Sequence, residues 1–131
     1  MVIWHNKSNS IRYIRGSYYN EFGKVSGKFS ESDFADVNAS NDFSLFEDSR
    51  VKHYIPAITT YPYTIEYEYE VRSKQSLTFN AWEPNPETGL AVESSKFTFI
   101  CKPNFNIRYK EINIPDKVIV STNKDGYKTY T

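Results

Sequence analysis

Thr64-Ile-Glu-Tyr-Glu-Tyr-Glu-Val-Arg-Ser73 is the stretch that decides the fold class of this chain. Ile65, Tyr67, Tyr69 and Val71 alternate strictly with Glu66, Glu68, Glu70 and Arg72. A repeat of two puts the first set on one face of a β-strand and the second on the other, whereas a helix would scatter both around its axis. The pattern predicts a strand over Thr64–Ser73 in a sheet with one dry and one wet face. Buried on the dry face, each of the four apolar side chains would contribute about 1.5–3 kcal/mol. Against a total stability of about 5–15 kcal/mol, a charge at Tyr67 or Tyr69 is then expected to unfold the domain.

Working outward, turn residues divide the rest of the chain into short apolar segments. Strands are expected over residues 1–5, 11–19, 24–29, 50–55, 75–82, 90–93, 96–102, 106–111, 117–122 and from 127 onward. Asn20-Glu-Phe-Gly23 and Asn123-Lys-Asp-Gly126 read as tight turns, and Gly23 supplies the positive φ that such turns need. Residues 83–89, with Pro84, Pro86 and Gly89, form the strongest loop signal. Residues 30–36 are suited to one helical turn, with Ser30 as cap and Asp33 at the capping-box position. Residues 38–41 read as loop, and Phe43, Leu45 and Phe46 return apolar weight.

The composition agrees with this pattern. Aromatics make up 17% of the 131 residues, with eleven Tyr and nine Phe, and the only leucines are Leu45, Leu77 and Leu90. Such side chains suit pleated, half-buried surfaces and make poor helices. Crossover helices for a parallel sheet are missing. The expected fold is all-β: an antiparallel β-sandwich or open barrel of about nine short strands, with at most one helical turn. The length fits a single domain over residues 1–131. Its termini fall in or beside strands, so it reads as a fragment or N-terminal module of a longer protein, and cut sheet edges would invite self-association.

Sixteen basic and sixteen acidic residues cancel, which argues against nucleic acid and against an anionic membrane surface. No apolar run approaches the ~20 residues of a membrane span, and the N-terminal residues lack the pattern of a signal peptide. The single cysteine, Cys101, falls in phase with Phe97 and Phe99 and reads as a buried, inert thiol, not as a nucleophile served by His5 or His53. Two separated histidines make no zinc site. Asp33 with Asp36, and Asp42 with Glu47 and Asp48, lack the spacing of a calcium loop. The row Glu66, Glu68, Glu70 is read as a wet sheet face, with Lys52, Arg72, Arg108 and Lys110 as candidate cross-strand cations. No catalytic residue, metal ligand or cofactor site is therefore expected. Trp4 and Trp82 are the candidates for stacking on a sugar ring or a peptide.

Three stretches taken together resemble a known family. They are Phe22-Gly-Lys-Val-Ser-Gly-Lys-Phe-Ser-Glu-Ser-Asp-Phe34, Ser44-Leu-Phe-Glu-Asp-Ser-Arg-Val-Lys-His-Tyr54 and Tyr61-Pro-Tyr-Thr-Ile-Glu-Tyr-Glu-Tyr-Glu-Val71. In this order and spacing they resemble the all-β domain of unknown function that precedes a transglutaminase-like, papain-like cysteine peptidase domain in many exported bacterial proteins. The resemblance implies a non-catalytic accessory domain that positions such a neighbour in the same polypeptide or recognises its substrate. It also implies a periplasmic or cell-envelope location. The alternative function is a carbohydrate- or peptide-binding module using exposed aromatics.

Overall fold

A computed structural model describes residues 1–39, 49–58, 60–74, 79, 82–85, 88–112 and 116–131. Among these the chain is all-β, with nine strands in three antiparallel three-stranded sheets. A single 3₁₀ turn, Glu31–Asp33, accompanies the strands, and no sheet closes into a barrel. Among the described residues no helix is long and apolar enough to cross a membrane. The chain divides into two compact units, Met1–Thr78 and Phe79–Thr131.

The first unit holds β1 (Val2–His5), β2 (Asn9–Tyr19), β3 (Val25–Ser30), β4 (Ala35–Asn38), β5 (Arg50–His53) and β6 (Thr64–Ser73). One sheet runs β1-β5-β4 and the other β3-β2-β6. β6 has the expected bounds and pairs with β2 from Asn9↔Ser73 to Tyr19↔Thr64, with an irregularity between Ile11 and Tyr13. The turn after β2 carries Gly23 at φ +71°, and its N–H donates to the Asn20 carbonyl at 2.9 Å. The 3₁₀ turn is capped as expected, since the Ser30 N–H donates to the Asp33 carboxylate at 2.7 Å.

The two sheets meet over a small core of Ile3, Ile14, Phe29 and Phe34, with Met1, Ile11, Tyr18, Tyr54 and Ile65 packed around it. The rings of Phe29 and Phe34 lie 4.9 and 5.3 Å from that of Tyr54, and burial pushes the Tyr54 hydroxyl pKa up. Gly16, opposite Phe29 in the ladder, is needed here for space and not for backbone freedom. A Cβ at Gly16 would overlap the Phe29 ring and approach the Glu66 carbonyl oxygen to 2.6 Å.

Tyr67 and Tyr69 do share the inward-facing side with Ile65, but each is 48% exposed, and Val71 is exposed as well. β6 is the outer strand of its sheet, and Ile65 is its contribution to the core. The two tyrosine rings instead stack on each other, with centroids 6.3 Å apart and planes inclined by 12°.

The second unit holds β7 (Phe99–Cys101), β8 (Val120–Thr122) and β9 (Lys128–Tyr130), in the order β7-β9-β8. The β8–β9 hairpin closes at Asn123-Lys-Asp-Gly126, where Asn123 N–H donates to the Tyr127 carbonyl and Gly126 N–H to that of Asn123. Residues 90–93 and 106–111 are not strands, contrary to expectation. Alternation over four to six residues supplies no ladder partner, and both edges of the central β9 are already taken. The opposite error occurs at β4, which reads as turn and loop. Asp36 and Asn38 are held in the strand by Arg50 of β5, whose Nε donates to Asp36 Oδ1 at 2.8 Å and Nη1 to Asn38 Oδ1 at 2.6 Å. Most of the strand expected at 75–82 lies outside the described residues, as do Asp42, Phe43, Leu45, Phe46, Glu47, Asp48 and Pro86.

Candidate functional site

Trp4 sits on β1 between Ile3, which is buried, and His5, so its ring lies on the side of the β1-β5-β4 sheet away from the core. The register places Val51 of β5 and Val37 of β4 in line with it, and Val2 one step along the same face. Val2 is 61% and Trp4 63% exposed, and Val37 is exposed too. His53, opposite Val2, shares this face, while the charged residues lie on the other side. His5 Nε2 contacts Asp36 Oδ1 at 3.2 Å, and Lys52 Nζ reaches Glu31 Oε1 at 2.6 Å. Desolvation raises the Asp36 carboxyl pKa, but the bonds from Arg50 and His5 outweigh it and hold the group below its usual value. This sheet is therefore inverted relative to an ordinary sandwich layer, with charges toward the interior edge and a Val-Trp-Val row outward. Unpaired apolar rows of this kind mark contact surfaces. Sequence reasoning singled out Trp4 but missed its valine neighbours. The available signal was the unbroken run Val2-Ile3-Trp4, which makes both faces of β1 apolar.

Trp82 belongs to the second unit and borders a broad hollow of about 1370 Å³. Its indole stacks on Phe97 at 6.2 Å and 23°, and its Nε1–H donates to Ser95 Oγ at 3.0 Å, leaving the residue 38% exposed. Phe99 and Tyr130 pair across β7 and β9 and form the floor, with Phe79 and Tyr109 edge-on to them. Arg108, Lys117 and Glu93 stand among the lining side chains. The hollow exceeds the ~300–1,000 Å³ of a typical small-molecule pocket, so an extended ligand fits it better than a compact one. Cys101 occupies β7 next to this floor, half-buried instead of fully buried, with Sγ 3.9 Å from the Phe105 carbonyl oxygen. His5 and His53 both belong to the first unit.

The glutamate row is a wet face, but its partners come from β2 and not from the four residues expected. Arg15 clasps Glu68 Oε2 through Nε and Nη2 at 3.2 and 2.8 Å, while Tyr13 donates to Oε1 of the same carboxylate. Tyr19 donates to Glu66 Oε2 at 2.9 Å, and Arg12 lies 3.7 Å from Glu70. Tyr13, then Arg15, lower the Glu68 pKa, and Glu68 in return raises that of Tyr13. Glu66 likewise raises Tyr19. Asp33 is used in the capping box of the 3₁₀ turn, accepting from the Ser30 N–H. Among the described residues no three His, Cys, Asp or Glu side chains gather as metal ligands.

A profile described as Domain of Unknown Function with solved-structure structure (DUF3857) matches residues 1–131. The chain belongs to the DUF3857 family. No curated protein and no solved structure matches it. Membership of the DUF3857 family carries no named catalytic or binding residue, so any role for the surfaces above rests on their physical chemistry.

Proposed function

We propose that this domain is a non-catalytic accessory module that docks onto a transglutaminase-like domain, holding that neighbour in place or presenting substrate to it. The carrying observation is the outward row of Val2, Trp4, Val37 and Val51, which leaves an apolar face where a self-sufficient sheet would be polar. A central tryptophan flanked by aliphatic side chains is the composition expected at the dry centre of a protein interface. The partner's identity rests on the resemblance of the three sequence stretches to modules that precede such domains in exported proteins. That resemblance also favours a cell-envelope location. Calorimetric titration with a separately produced transglutaminase-like domain tests the reading. Association is expected, and Trp4→Glu is expected to abolish it, whereas no heat at high micromolar concentration would overturn it.

A second reading is favoured by the Trp82 hollow, whose aromatic floor and scattered charges suit an oligosaccharide or an extended peptide. In a Trp4→Phe background Trp82 is the remaining indole. Its emission should shift on adding a binding oligosaccharide or peptide. A flat response across a broad panel of both would remove this reading.

A further inference from the structure

β6 offers a second interaction surface, independent of the docking face just described. It is ten residues long and the outermost strand of β3-β2-β6, and among the described residues no strand pairs with its other edge. Both faces along it are exposed, the tyrosine side carrying Tyr67, Tyr69 and Val71 and the opposite side Glu66, Glu68, Glu70 and Arg72. An edge that meets no strand among the described residues from Thr64 to Arg72 is a template for one more strand.

The charge pattern selects the occupant. Two copies of β6 pairing edge to edge, antiparallel about a two-fold axis, keep both tyrosine rows on one face. Every such register that pairs more than five residues of each strand therefore sets glutamate opposite glutamate on the other face, Glu68 against Glu68 with Glu66 against Glu70 being one case. Like charges directly opposite are destabilising. Along Glu66–Glu70, short of Arg72, an incoming strand that alternates apolar and basic residues meets tyrosine on one side and carboxylates on the other. Glu68 is already held by Arg15 and Tyr13, so Glu66, which among the described residues accepts from the neutral Tyr19 hydroxyl, and Glu70, 3.7 Å from Arg12, are the carboxylates with most left to offer.

We infer that the outer edge of β6, from Thr64 to Arg72, captures an extended polypeptide segment of alternating basic and apolar residues by strand addition.

The test uses the full chain and a fluorescein-labelled, blocked ten-residue peptide of alternating lysine and valine, followed by anisotropy. A scrambled peptide of the same composition separates strand pairing from plain charge attraction. The alternating peptide should bind about fivefold or more tightly than the scrambled one. Glu70→Lys, and separately Tyr69→Lys, should each weaken it about fivefold while the domain stays folded at the assay temperature, since neither side chain belongs to the core. Trp4→Glu should leave it unchanged, which separates this result from the docking proposal. Equal binding of the two peptides, or full binding by both variants, would overturn the inference. So would a dimer that Tyr69→Lys dissociates, because the edge would then be occupied by a second copy.

Discussion

Phe29 and Tyr67 come from neighbouring parts of one sheet and face the same side, yet they should respond oppositely to mutation. Phe29 is buried among Ile3, Ile14 and Phe34, so Phe29→Ala should cost about 3–5 kcal/mol in urea unfolding. Tyr67 packs against Tyr69 and is half in water, so Tyr67→Lys should cost no more than about 1 kcal/mol. This reverses the expectation drawn from alternation alone. Period two says which residues share a face, but not whether anything covers that face. Gly16→Ala belongs with Phe29, because its new methyl has nowhere to go without displacing a ring. A loss of about 1–3 kcal/mol is expected, and an unchanged denaturation midpoint would contradict the packing described.

Among elements, the β2–β6 pair carries a pH signature. Glu68 has its pKa lowered in the folded state, so its contribution is present above its ordinary value and disappears as pH falls through the folded one. Tyr13 has its pKa raised, so its share of the same bond is present below about pH 10 and disappears as pH rises through the folded value. The melting-temperature difference between the parent and Glu68→Gln should therefore be level from about pH 6 to 9 and shrink below about pH 4 and above about pH 10. The ladder is exposed, so the difference should be small and should fall with salt. A difference independent of pH would mean that the cluster does not form in solution.

At the scale of elements the sequence was legible where local chemistry is self-sufficient. The β6 bounds, the turns at Gly23 and Gly126 and the Ser30 cap follow from residues within a few positions of each other. β4 was not legible, because its hydrogen bonds depend on Arg50 lying fourteen positions away from Asp36. The cations facing the glutamates were misassigned for a similar reason. Which strand neighbours β6 is a question of topology, and β2 supplies Arg12 and Arg15 where Lys52, Arg72, Arg108 and Lys110 had been expected.

For the whole molecule, the all-β antiparallel class was written in the composition, with dense Tyr and Phe and three leucines. The candidate surfaces were half legible. Trp4 and Trp82 stand out by residue type, but the valines that turn Trp4 into a face come from three strands, and the floor beneath Trp82 needs the β7–β9 pairing. The central claim is that this face is where a neighbouring domain sits. Hydrogen–deuterium exchange with and without a transglutaminase-like domain tests it most directly. The account predicts new protection at Val2–His5, Ala35–Asn38 and Arg50–His53, absent in Trp4→Glu. Protection confined to other parts of the chain, or none under saturating partner, would contradict it.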